Sequence, residues 1–191
     1  DSVISGTGAL IKAGAGALTT AQTHTYTGGT TINAGTITVD ATSSTVGLGS
    51  GAVVVDGNSA ALSVTASADP GATVDVVDNG ATLTIRNGGQ VTYDLDAATT
   101  YGVTETISQL IIGDGLAQLS LVENANDSVH LISTNNVSRV SSGFLAFTRN
   151  DLGSDGNNES RLLSNAGTNA TTYSWITVGG QTATYDGTGT G

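Results

Sequence analysis

The sequence predicts an all-β protein, and its composition favours a parallel β-solenoid. Short runs alternate apolar and polar residues, which is the period of a half-buried strand. Turn-forming residues separate these runs, and the 191-residue chain contains 27 Gly and a single Pro. Aromatic residues make up only 4% of the chain, whereas Thr, Asn and Gly, which stack well in ladders, are abundant. A β-sandwich would give a similar strand spacing and stays the alternative.

Six runs carry the strand pattern, each with apolar residues two apart: 35–39, 61–64, 73–77, 81–85, 90–93 and 119–122. Turn sequences lie between them, at Gly57, Asp78, Arg86 and Gly113, where Asn and Gly supply left-handed conformations. The intervals between runs are irregular, which excludes a strict short repeat. They fit strands wound into coils of about 20 or more residues.

The last third of the chain has a different composition. It contains both Phe residues, the only Trp, Trp175, and a long polar segment. We expect residues 1–140 to form the solenoid coils, and residues 141–191 to form a loop-rich C-terminal flank or cap of the same domain. A short helix is conceivable at residues 159–164.

Charge and cysteine content exclude several classes of protein. The net charge is −11, with only five Lys and Arg residues. Nucleic-acid binding needs a basic surface, so we expect no nucleic-acid partner. No run of about 18 apolar residues is present, so we expect no direct membrane insertion. The absence of Cys rules out disulfides and thiolate metal sites.

The termini look like parts of a longer architecture. The first ten residues lack the basic and apolar regions of a signal peptide. The chain begins and ends within Gly- and Thr-rich sequence, and we expect it to be a mature fragment or a segment of a longer protein. A chain without Cys or Met that is rich in Thr, Ser, Asn and Gly fits a bacterial cell surface.

The sequence GTGALIKAGAGALTTAQTHTYTGGTTINAGTITVD, residues 6–40, resembles the autotransporter-associated β-strand repeat, also called the passenger-associated transport repeat. The positions that fill the pattern are Lys12, Gly14, Gly16, Leu18, Thr19, Tyr26, Thr27, Gly28, Thr30, Ile32, Gly35 and Ile37. His24 stands where the repeat usually has Asn. The later segment YSWITVGGQTATYDG, residues 173–187, resembles more weakly a segment of long bacterial surface proteins built from these repeats.

The resemblance implies a right-handed parallel β-helix on an exported bacterial protein. In that family the repeat is associated with passenger stalks and with their translocation, and it carries no active site. The resemblance therefore implies an extracellular or cell-surface location. It implies no catalytic residue and no cofactor-binding residue in this chain.

One polar segment has the composition of a calcium loop. Asp151, Asp155, Asn157 and Glu159 alternate around Gly156, and hard oxygen ligands at alternate positions can converge on one ion. Position 3 of the loop is Gly153, however, and the closing bidentate Glu is missing. A solvated turn is the alternative interpretation, and calcium is the only cofactor that the sequence suggests.

Two further functions remain open. Asp75, Asp78, Asp94 and Asp96 could supply the acid and base of a polysaccharide-degrading β-helix enzyme, although Arg86 is the only cation nearby. Trp175 and Tyr173 could stack on sugar rings, within a set of aromatic residues that also includes Tyr93. A carbohydrate-binding adhesin is therefore the main alternative function, and an enzyme is the third.

The best hypothesis from sequence is a non-enzymatic extracellular β-solenoid, a stalk, coat or fibre segment of a bacterial surface protein. Open ends of a solenoid expose unpaired strand edges. We therefore expect neighbouring repeats or identical subunits as partners, through end-to-end or lateral self-assembly, with surface glycans as a possible further partner.

Overall fold

The computed structural model describes residues 2–95, 102–122, 129–149, 161–164, 171–178 and 181–185, which are all-β and contain no helix. The strands in chain order are β1 Ser5–Gly6, β2 Leu10–Lys12, β3 Ala17–Thr20, β4 Thr25–Tyr26, β5 Thr30–Ile32, β6 Gly35–Asp40, β7 Val53–Asp56, β8 Ala60–Thr65, β9 Thr73–Val74, β10 Thr82–Arg86, β11 Gln90–Asp94, β12 Val103–Ile107, β13 Gln109–Ile112, β14 Leu116–Val122, β15 Val129–Ser133, β16 Ser138–Arg139, β17 Phe144–Arg149, β18 Arg161–Ser164, β19 Thr171–Val178 and β20 Gln181–Tyr185.

The strands stack into a parallel β-solenoid, which confirms the predicted fold class. Strand order is β2-β5-β7-β10-β13-β16 in one sheet, β3-β6-β8-β11-β14-β17-β19-β20 in the second and β9-β12-β15-β18 in the third. The strands β1 and β4 form a small fourth sheet. The third sheet has four strands, one from each turn, so about four turns of the solenoid contribute a strand to all three sheets. Crossover connections between parallel strands are almost always right-handed, so a right-handed coil stays the expectation.

Each turn advances the chain by the predicted amount. Ser5 pairs with Thr25, 20 residues later, and Val53 pairs with Leu83, 30 residues later. Neighbouring strands therefore come from successive turns and run parallel, whereas a sandwich is built from antiparallel strands. The only antiparallel pair among the described strands is β19 with β20.

The core is a set of apolar rows that run along the solenoid axis. Ile32, Val55, Ile85 and Ile112 pair in register on four successive turns, and each is fully buried. Every turn thus buries its side chains between the turns before and after it, at about 1.5–3 kcal/mol for each large aliphatic side chain.

The predicted turns are present between the strands. Gly57, Gly88 and Gly115 have positive φ angles of 118°, 92° and 77°. Asn87 also adopts the left-handed conformation, with φ of 54°, because its side chain tolerates that region better than most residues do. At these residues the chain turns sharply, so that a strand of one sheet is followed closely by a strand of the next sheet.

The described strands of the C-terminal third continue the stack. β17, β18 and β19 each pair in parallel with a strand of the preceding turn, beyond residue 140. The helix considered at residues 159–164 is wrong for the described part, since Arg161–Ser164 forms β18. The run at 73–77 is also shorter than predicted, because the strand covers only Thr73–Val74.

Candidate functional site

The opening motif forms a corner that joins the first two turns. Lys12 ends β2, and its Nζ donates to the carbonyl oxygens of Gly14 at 2.6 Å and Ala34 at 3.0 Å. Ala34 belongs to the following turn, immediately before β6. The lysine charge is therefore used to bind carbonyl groups at the corner, where two turns meet.

Gly35 lies under this corner in a position that excludes any side chain. Its φ is +71°, and a Cβ there would lie 2.3 Å from the Gly16 carbonyl oxygen and 2.5 Å from Lys12 Nζ. The motif glycine is thus required both by backbone conformation and by close approach. Gly16, by contrast, has open space around its Cβ position.

A small polar network lies inside the first two turns. His24 is 6% exposed, and its Nδ1 accepts a hydrogen bond from the Ile4 amide at 3.0 Å. The imidazole is therefore neutral with its proton on Nε2, which donates to Thr20 Oγ1 at 2.9 Å. Burial lowers the pKa of His24 below its ordinary value. Nearby, the Tyr26 hydroxyl bonds to Thr30 Oγ1. These groups fix the interior of the first two turns and leave no reactive side chain.

Surface carboxylates join successive turns along the outside of the solenoid. Asp40 accepts bonds from the Ser67 amide at 2.7 Å and the Ser67 hydroxyl at 2.6 Å. Asp114 accepts bonds from the amide and hydroxyl of Ser142 at 3.2 and 3.3 Å. We call these contacts inter-turn bridges, because each connects residues one turn apart.

The third inter-turn bridge carries a salt bridge. Asp56 Oδ2 lies 2.7 Å from the Arg86 guanidinium, and Asp56 Oδ1 accepts a bond from Asn87 Nδ2 at 2.7 Å. The hydrogen bond from Asn87, followed by the interaction with Arg86, lowers the pKa of Asp56 below its ordinary value. Arg86, the cation that could have bound a polysaccharide, is thus used to join two turns of the solenoid.

The acidic residues considered for catalysis differ in burial and partners, and Asp75 and Asp78 are close enough to interact. Asp78 Oδ1 accepts a bond from the Gly80 amide at 2.8 Å within a turn. Asp94 is exposed at the end of β11, while Asp75 is half-buried. Burial raises the pKa of Asp75, and the charge of Asp78 adds to that rise. Asp96 lies outside the described residues.

The calcium-loop residues Asp151, Asp155, Asn157 and Glu159 also lie outside the described residues, so that site stays a prediction. Within the described ranges, no group of three or more His, Asp and Glu side chains is arranged to hold a metal ion. The same residues contain no helix long and apolar enough to cross a membrane.

The aromatic residues considered for glycan binding divide into two groups. Trp175 on β19 is partly buried, and the Arg139 guanidinium lies 5.6 Å from the centre of its ring. Tyr173 is on the same strand, and the structure describes its backbone but not its side chain. Tyr93 is fully buried in the core, so it contributes nothing to a surface for sugars.

One shallow surface depression of about 320 Å³ lies between β15 and β18. Its lining is Ile132, Ser133, Thr134, Leu163 and Ser164. None of these side chains is titratable in the physiological range. The depression therefore offers shape and hydroxyl groups, without an acid, a base or a charge.

Glu105 is a buried acid that sequence reasoning missed. It lies on β12 between Val103 and Ile107, in the same phase as these apolar residues, and it is 1% exposed. The sequence V-T-E-T-I could have predicted its burial, because the alternation places the Glu on the same inward face as Val103 and Ile107. Its carboxyl Oε2 accepts a bond from the Val76 amide at 3.0 Å.

Comparison with known proteins finds no matching family model, no matching curated protein and no matching solved structure.

Proposed function

We propose that this chain is a non-enzymatic structural segment of an extracellular bacterial surface protein, in which solenoid turns build a stalk, coat or fibre. One observation carries the proposal, namely that charged side chains are used to join turns. Lys12, Asp40, Asp56 and Asp114 bind groups of the neighbouring turn. Such nearest-neighbour contacts let a solenoid gain length by adding turns.

The roles of the motif residues support the resemblance to the autotransporter-associated repeat. Lys12 and Gly35 form the corner between two turns, and Tyr26 and Ile37 fill the interior. A motif whose residues serve stacking suits a repeat that carries no chemistry of its own. The proposed cell-surface location rests on this resemblance and on the composition.

The partners that suit this architecture are neighbouring repeats or identical subunits. The experiment is sedimentation over a concentration series, combined with negative-stain electron microscopy. We expect rods or laterally associated bundles at high concentration. Dispersed monomers at every concentration would contradict self-assembly, and turnover of a polysaccharide that depends on Asp75, Asp78, Asp94 or Asp96 would contradict the structural role.

A carbohydrate-binding adhesin is the second candidate, and the pairing of Trp175 with Arg139 favours it. A partly exposed aromatic ring beside a guanidinium offers a stacking face and hydrogen-bond donors to a sugar. Binding on a glycan array that disappears in Trp175→Ala and persists in Leu116→Ala would support this function. Leu116 is a suitable control because it is 44% exposed and lies on β14.

A further inference from the structure

Among the described residues, three buried side-chain oxygen atoms have no hydrogen-bond partner. They are Asp75 Oδ1, Tyr93 Oη and Glu105 Oε1. Glu105 lies in register between Val74 and Leu131, so its side chain continues an inward row of the third sheet. Tyr93 is fully buried on β11. Buried polar atoms without a partner are rare and costly, so three of them in one interior require a physical explanation.

Glu105 interacts electrostatically with each of the other two groups. Burial raises the pKa of Glu105 well above its ordinary value, and the charge of Asp75 adds to that rise despite the bond from the Val76 amide. Burial, then the proximity of Glu105, raises the pKa of Tyr93 well above its ordinary value. The three side chains therefore form one cluster, although Tyr93 Oη and Glu105 Oε1 lack a hydrogen bond of ordinary geometry.

The charged groups around this cluster are negative or face outward. Asp75 and Asp78 follow β9, and Asp94 is exposed at the end of β11. His130 on β15 is in register with Thr104, which alternates with the inward Glu105. Within the part of the chain that is described, no Lys or Arg acts on the Glu105 carboxyl. An ionised Glu105 in the apolar interior, beside the half-buried Asp75 and without a cation, would be strongly unfavourable.

We propose that Asp75 and Glu105 hold one proton between them inside the solenoid, with Tyr93 as the third member of the site. The proton resides on Glu105, and its O–H donates within the cluster while Oε2 keeps the bond from the Val76 amide. This proton-binding site goes beyond the proposed structural function. Loss of the proton loosens the contact between β12 and the segment after β9, because the buried Glu105 charge then lies beside the charge of Asp75.

The direction of the pH effect follows from linkage. Glu105 binds its proton more tightly in the folded chain than in the unfolded chain, since its pKa is raised on folding. Its contribution to stability is complete below the pKa of an unfolded Glu and is lost as pH rises through the folded pKa. The site therefore weakens under alkaline conditions.

Carbon-13 NMR of a Glu-labelled chain tests the proposal directly, because the sequence contains only three Glu residues. At about pH 7, where an ordinary Glu is ionised, we expect one side-chain carboxyl carbon with the chemical shift of a neutral acid. That resonance should be absent from Glu105→Gln. Three ionised carboxyl groups, or a neutral resonance that persists in the variant, would overturn the proposal.

Thermal melts from about pH 6 to about pH 10 give the second measurement. Glu105→Gln keeps an acceptor for the Val76 amide and supplies an uncharged donor. The wild type should lose stability relative to this variant as pH rises, by up to about tenfold in the folding constant per pH unit. Asp94→Asn is the control and should parallel the wild type. Parallel curves for wild type and Glu105→Gln would also overturn the proposal. If the variant does not fold, the NMR titration of the wild type decides.

Discussion

At the scale of single residues, glycine positions distinguish corners of the solenoid from its open surface. Gly35 has both a positive φ and a backbone oxygen 2.3 Å from its would-be Cβ, whereas Gly16 has neither constraint. The two residues lie in the same motif and close to the same lysine. Because of their different surroundings, glycine is required at position 35 but not at position 16.

Gly35→Ala should therefore destabilise the fold by at least about 2 kcal/mol, through backbone strain and steric clash. Gly16→Ala is the matched control and should change the free energy of unfolding by less than about 0.5 kcal/mol. Denaturant titration followed by circular dichroism measures both. Equal losses in the two variants would show that the corner does not constrain Gly35.

His24 gives the first turns a sensitivity to acid. Its Nδ1 must stay unprotonated to accept the Ile4 amide, and burial lowers its pKa. The unfolded chain consequently binds the proton more readily, so stability falls as pH drops below the ordinary His pKa of about 6.5.

The substitution His24→Asn places the usual motif residue at this position and removes the titratable group. The difference in melting temperature between wild type and variant should change between about pH 7 and about pH 5, with the wild type losing more stability in acid. Carboxyl groups contribute equally to both proteins, so the difference isolates His24. A pH-independent difference would contradict the role assigned to the imidazole.

At the scale of strands and turns, the alternation of side chains was the most informative part of the sequence. The strands β6, β8, β10, β11 and β14 overlap the predicted runs, because each buries alternate residues. The run at 73–77 fails as a full strand, since Val76 and Val77 are both buried and the alternation ends there. Glu105 was missed although it occupies the apolar phase of its strand.

Local sequence patterns do not predict the contacts between turns. Asp56 and Arg86 are 30 residues apart, and their contact depends on the register between β7 and β10. Period-2 alternation specifies which side a residue faces, but it leaves open which residue of the next turn lies beside it. The inter-turn bridges and the corner at Lys12 consequently emerge only from the structure.

A double-mutant cycle measures one inter-turn bridge. Asp56→Ala and Arg86→Ala should show a coupling energy of about 0.5–1 kcal/mol, since the pair is partly solvent-exposed and screened. The same cycle between Asp94→Ala and Arg86→Ala should give a coupling near zero, because Asp94 is exposed and the carboxylate that binds Arg86 is that of Asp56. Denaturant titration in low and high salt gives both values, and a zero coupling for the first pair would remove the bridge as a source of stability.

At the scale of the whole molecule, the N-terminal turn differs from the turns inside the stack. Val3 and Ile11 are 52% and 65% exposed, and in the described structure β1, β2 and β3 each pair with one neighbouring strand only. An unpaired parallel edge with apolar side chains is a template for another strand. End-to-end assembly would cover this edge.

The backbone of β2 identifies the atoms involved. The Leu10 amide donates to the Gly29 carbonyl, and the Lys12 carbonyl accepts from the Asn33 amide. Successive residues of a parallel strand direct their backbone groups to opposite neighbours. The amide and carbonyl of Ile11 consequently point away from β5, toward the open edge.

Ile11→Pro should block end-to-end assembly without disturbing the turn beneath it. Proline removes the outward amide, and edge strands accept it. Ile11→Thr is the matched control, because it keeps the amide and copies Thr31, its register partner on β5. Sedimentation should give monomers for the proline variant at concentrations where wild type and the threonine variant assemble, with unchanged circular dichroism. The threonine variant separates loss of the isoleucine side chain from loss of the amide, so assembly that survives Ile11→Pro would place the contact on the sides of the solenoid, and lateral association would then replace end-to-end stacking.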